Sequence, residues 1–258
     1  MAQSTAERPE WGIGGLAQQA NTAFAVGAVV VPLGALAAAL ASNDVQALTY
    51  VHVMAGVLWT GIDLFMGAVL GPVVGGLDPK QRADFFGRFT PKMTFLMPTL
   101  AIVTIAGGIT LTMQLKRFAY ADQWLAIFTA VNTVPIVLII GSQFDALTDW
   151  RTLTVLGLTV AGSGAYLLAT LPGTALIAMV TTTSPWILAA LGIVTLLGLQ
   201  GFGVILPGEI RIYRQIASEN PDTDLIGEIG MRNARLGGIQ GVLQLSIVFV
   251  MVGLRYLA

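Results

Sequence analysis

The sequence predicts an all-α polytopic membrane protein of about seven transmembrane helices, and three observations carry that prediction. Of 258 residues, 55% are apolar and only 10% charged, where a soluble domain has about a quarter of its residues charged; the mean hydropathy is +0.78. Apolar runs of about 20 residues, the length of helix that crosses a bilayer core, follow one another along the chain. Lysine and arginine gather on alternate connectors, as they do when one side of a membrane collects them.

The spans fall at 22–42, 48–73, 93–114, 123–144, 152–171, 186–208 and 237–257. Residues 1–21 form a polar N-terminal segment with a single arginine, Arg8, and lack the basic start of a secretory signal. The apolar run after it exceeds the usual signal core, so an uncleaved first helix is expected. The stretch 172–185 is apolar but short and is opened by Leu171, Pro172 and Gly173; a re-entrant or interfacial turn is expected there rather than an eighth span. With the N-terminus inside, the inner segments hold Arg8, Lys80, Arg82, Arg88, Lys92, Arg151, Arg211, Arg214, Arg232 and Arg235, and the outer ones Lys116, Arg117 and Arg255. This bias of ten to three places the N-terminus in the cytoplasm and the C-terminus outside. Trp11, Trp124, Trp150 and Trp186 stand at span ends as an aromatic belt, whereas Trp59 is mid-span.

A net charge of −1 gives no field that would draw nucleic acid. The absence of cysteine excludes disulfides, thiolate metal sites and a cysteine nucleophile. Glycine clusters such as 12–15 lack the strand–turn–helix setting of a nucleotide loop. The bilayer is the expected partner, with further membrane subunits or a second copy of the chain as other possibilities.

A faint repeat relates GIDLFMGAVLG at 61–71 to GLQGFGVILPG at 198–208, pairing Asp63 with Gln200. Each copy leads to a connector with a helix-start signal, Asp78-Pro79 and Asn220-Pro221. Spans 2–3 and 6–7 have the same orientation, so a parallel repeat is expected, with a site at its interface.

Ionisable residues inside spans are costly and point to function. Here they are His52 (the only histidine), Asp63 and, at a span end, Glu209. The amides Asn132, Gln143, Gln200, Gln240 and Gln244 are expected to join helices by hydrogen bonds. Helical spacing puts His52, Gly56, Trp59, Asp63 and Met66 on one stripe, with Gly56 small enough for a flat ligand to approach. His52 and Asp63 lie about 16 Å apart along the axis, too far to share one small ion. Pairing span midpoints sets Met113 level with His52, with Lys116 and Arg117 just beyond. A histidine and a methionine at one depth suit the axial positions of a b-type haem, and two cations at the surface suit its propionates. Copper is the alternative metal for His52 and Met113, with Met54 and Met66 on the same helix. Midpoint pairing also sets Asp63 beside Gln200, as a structural hydrogen-bonder or a proton-handling residue.

The motif His52-x6-Trp59-x-Gly61 resembles a loose group of small prokaryotic membrane proteins. They are the copper-resistance protein D family, the J-type protoporphyrinogen oxidases and the membrane domain of a urate hydroxylase. The resemblance covers residues 48–114. It implies a multi-pass protein of a prokaryotic plasma membrane with haem on His52, acting in redox chemistry. The rival class is a non-enzymatic component, a small transporter or an accessory subunit, in which His52 and Asp63 serve packing or a proton path.

Overall fold

In the computed structural model, residues 12–171, 173 and 175–256 are described. They form helices throughout: α1 (Ile13–Ala20), α2 (Thr22–Ser42), α3 (Val45–Gly75), α4 (Pro79–Gln114), α5 (Ala121–Gln143), α6 (Trp150–Thr170), α7 (Ala175–Thr182), α8 (Pro185–Ile216) and α9 (Thr223–Tyr256). Seven of them, α2 to α6 with α8 and α9, are long and apolar enough to cross a membrane. The chain is therefore an all-α polytopic membrane protein. Its outer surface is apolar, with Leu158, Leu168 and Phe249 among the exposed side chains, which is the surface lipid tails solvate.

The expected spans are found, but several helices outrun them. α4 has 36 residues and α9 has 34, about 54 and 51 Å long against a hydrocarbon core of about 30 Å. Their N-terminal turns, with the last turns of α8, project past the apolar zone and pack on one another around Phe86, Ile212 and Ile226. The 172–185 stretch holds only the eight-residue α7, about 12 Å of helix and too short to span. Trp11, Arg8 and the rest of residues 1–11 lie outside the described residues. The end of the polar N-terminal segment forms a short helix, α1, whose Leu16 and Ala20 are buried.

α3, α4, α8 and α9 form the centre, with α2 against α3 and α4, α5 against α8, and α6 resting on α5. Helix starts follow local chemistry. Asp78 accepts from the Gln81 N–H at 2.9 Å with Pro79 in the first turn, as expected. The other expected start is corrected: Asp222, not Asn220, accepts from the Leu225 N–H at 2.9 Å, and α9 begins at Thr223. The segment from Ala217 is spent reversing the chain, and Gln215 Oε1 holds the Asp222 N–H at 3.2 Å, so Pro221 falls before the cap.

Both α3 and α8 carry a wide turn just ahead of a proline. The Gly71 N–H bonds to the Met66 carbonyl five residues back, and Pro72 follows; the Leu206 N–H bonds to Gly201, and Pro207 follows. A proline removes one donor from the ladder, and a π-turn is one way a helix adjusts. Aligned on these turns, Pro72 falls on Pro207 and Asp63 on Gly198, two residues from the register suggested by the sequence. Neighbours meet the carbonyl that Pro207 cannot serve: Gln143 Nε2 donates to Gly203 O at 2.8 Å.

Arg82 closes the end of α3, its guanidinium donating to the carbonyls of Val74, Gly75 and Leu77 at 3.4, 3.0 and 3.0 Å. A cation on the last carbonyls of a helix also complements its dipole. Arg82→Ala is expected to destabilise the protein by about 1–3 kcal/mol, measured as a lower melting temperature in detergent. An unchanged melting temperature would remove Arg82 from this role.

Candidate functional site

The stripe on α3 divides between two neighbours. Its N-terminal part, His52 and Gly56, is covered by α4. The His52 Nδ1–H donates to the Thr104 carbonyl at 2.8 Å, which fixes the tautomer because a carbonyl can only accept. The ring lies against Gly107 and Gly108: a methyl added at Gly108 would stand 2.8 Å from Cε1. At Gly56 an added methyl would meet the Thr104 methyl at 3.4 Å. The gap that could have admitted a flat ligand is taken by α4.

His52 is thus level with Thr104 to Gly108 rather than with Met113. Met113 is five residues past Gly108, about 7.5 Å farther along the axis, and its side chain is 39% exposed. Lys116 and Arg117 finish α4: the Arg117 N–H bonds to Thr112 at 2.9 Å and the Lys116 N–H to Met113 at 3.0 Å, with Lys116 at φ 55°, a left-handed helix stop. Midpoint pairing failed because the apolar stretches of α3 and α4 are not centred at one depth: the contacts of His52 with Thr104, Gly107 and Gly108 run about five residues off that register. The structure does not bring the expected haem ligands together: the imidazole packs against α4, Met113 stands at another depth, and Gly56 faces Thr104. Copper fares no better on the same residues, since Met54 is exposed and Met66 lines a separate space. Among the described residues no three of His, Asp and Glu gather in one group.

The C-terminal part of the stripe builds a different site. Trp59, Asp63 and Met66 line a cavity of about 60 Å³ between α3, α4, α8 and α9, room enough for ordered water. Asp63 is 3% exposed. Its Oδ2 accepts from Gln244 Nε2 at 2.8 Å, and the Trp59 side chain, one turn earlier, lines the same wall. The expected Asp63–Gln200 contact is corrected: Gln200 Nε2 donates to the Leu236 carbonyl at 2.9 Å. The same cavity is lined by Glu209, 8% exposed, and by Asn233 and Gln240. Two acidic side chains therefore share one cavity, and both π-turns border it, through Met66 on α3 and Gly201, Phe202 and Ile205 on α8.

The amides divide the labour. Gln240 Nε2 donates to Leu197 O at 3.0 Å and Asn233 Nδ2 to Ile205 O at 3.0 Å, bonding α9 to the backbone of α8. Gln244 alone reaches a carboxylate, and its Oε1 is buried without a partner. The sequence held a signal for this face. Asn233, Gly237, Gln240, Gly241 and Gln244 recur at helical spacing on α9, one polar, small-residue stripe in an apolar span. Sequence reasoning treated these amides singly and so missed it, as it missed Glu209 as a partner of Asp63.

No family model, curated protein or solved structure matches this chain.

Proposed function

We propose that this integral membrane protein is a non-enzymatic transporter that moves protons through the cavity between Asp63 and Glu209. The observation that supports this reading best is two buried carboxylates on one water-sized cavity, bordered by the broken turns of two helices. Intramembrane carboxylates commonly mark proton relays, and transporters place their sites where discontinuous helices meet at a repeat interface. Glu209, nearer the arginine-rich connectors, exchanges protons with that side. Asp63, held by Gln244, receives them from the cavity. The charge bias supports an orientation with the arginine-rich connectors in the cytoplasm.

The test is flux into liposomes carrying a pH-sensitive dye, driven by an external acid step. Wild type should acidify the lumen faster than empty liposomes. Asp63→Asn and Glu209→Gln should each lose most of that flux, and Lys116→Gly should keep it. Wild-type protein no faster than lipid alone, or full flux in the two carboxylate variants, would overturn the proposal. A Soret band in the purified protein would favour the redox reading instead.

A further inference from the structure

A second cavity, of about 540 Å³, opens on the surface among α1, α4 and the connector from α8 to α9. Its α4 wall presents Asp84, Arg88 and Lys92, one charge per helical turn on a single face. Their order follows depth. Lys92 directly precedes the apolar part of α4; Arg88 stands about 6 Å and Asp84 about 12 Å farther from it. Opposite them the wall is apolar, with Ile216 and Ile226. Lys92 Nζ donates to the Arg88 carbonyl at 3.3 Å, which leaves two of its three hydrogens for a ligand.

We propose that this groove binds a phospholipid whose phosphate carries a primary amine, an ethanolamine headgroup. The charge order complements such a molecule lying in its own membrane. Acyl chains come from the apolar zone, the phosphate reaches the depth of Lys92 and Arg88, and the amine points outward to Asp84. Basic pockets between helices at the membrane surface hold lipid phosphates, and Arg88 offers the fork that suits a phosphate oxygen pair. Asp84 selects among lipids: it accepts a charge-assisted bond from a primary ammonium, only a weaker neutral one from a glycerol hydroxyl, and cannot accept any from a trimethylated amine. The Gln19 side chain, from α1, also lines the groove, and its Oε1 is buried with no partner, an acceptor for the same ammonium. This site is separate from the Asp63 cavity, so its test does not depend on proton flux.

Native mass spectrometry of the delipidated full chain, titrated with phosphatidylethanolamine, phosphatidylglycerol or phosphatidylcholine, reads the binding directly. Wild type should retain phosphatidylethanolamine best. The double variant Arg88→Gln, Lys92→Gln should weaken it about tenfold or more, the cost of removing one charge-assisted contact. Asp84→Asn should keep binding but lose the preference for ethanolamine over glycerol. Melting temperatures of each variant confirm that the fold is intact. Equal retention of all three lipids by wild type, a preference for phosphatidylglycerol, or an Asp84→Asn variant with unchanged selectivity would each overturn the proposal. Binding of free phosphoethanolamine as tightly as the lipid would do so too.

Discussion

Gly238→Ala is expected to cost about 3 kcal/mol or more, one of the largest effects of any single methyl in this protein. At the π-turn of α3, Gly67 and Gly238 bring the backbones of α3 and α9 together. A methyl built on Gly238 would stand 2.9 Å from the Gly67 Cα, closer than carbon atoms tolerate. The obstacle is backbone, so no side chain can swing away, and overpacking of this kind is met only by separating the helices. Separation at this point would also pull Gln244 on α9 from Asp63 on α3. Gly157→Ala on α6 is the control, because an added methyl there meets nothing within 4 Å; it should be neutral or slightly stabilising through helix propensity. Melting temperatures of the two variants in one detergent check the contrast, and equal effects would show that the crossing is not tight.

Asp63→Leu should destabilise the bundle by about 1–3 kcal/mol, the cost of leaving a buried donor without an acceptor. Gln244 is 2% exposed, its Oε1 already lacks a partner, and leucine would strip its Nε2 as well. Asp63→Asn should behave differently. Its amide oxygen still accepts from Gln244 Nε2, and its NH2 can donate to the orphaned Oε1, so stability should hold or rise. What asparagine cannot do is release and regain a proton. Folding and transport thus separate at this residue: leucine loses both, asparagine only transport. A leucine variant with wild-type melting temperature and flux would remove Asp63 from both roles. An asparagine variant that unfolds would mean that its charge, rather than its hydrogen bond, supports the core.

The two predictions draw on different kinds of information, and that difference marks what the sequence contained. By itself the sequence determined the class, the number of spans and the positions of their apolar parts, because hydropathy and length are local and a bilayer enforces both. It also marked Asp63 as a residue of the interior, since a lipid-facing carboxylate near the bilayer centre costs at least about 2.5–3.5 kcal/mol. The partner of Asp63 was not local. Choosing Gln244 over Gln200 depends on how α3 crosses α9, and that crossing is set by Gly67 against Gly238, contacts that exist only after packing. The depth of His52 went the same way: equating span midpoints assumes that both apolar stretches are centred at one depth, whereas the packed helices set His52 against Thr104 to Gly108. The tertiary structure alone decided that α4 covers the N-terminal half of the α3 stripe while the C-terminal half opens on a cavity. Hydropathy reports how deep a residue lies; helix rotation and crossing decide which neighbour it meets, and close packing of small residues sets those angles.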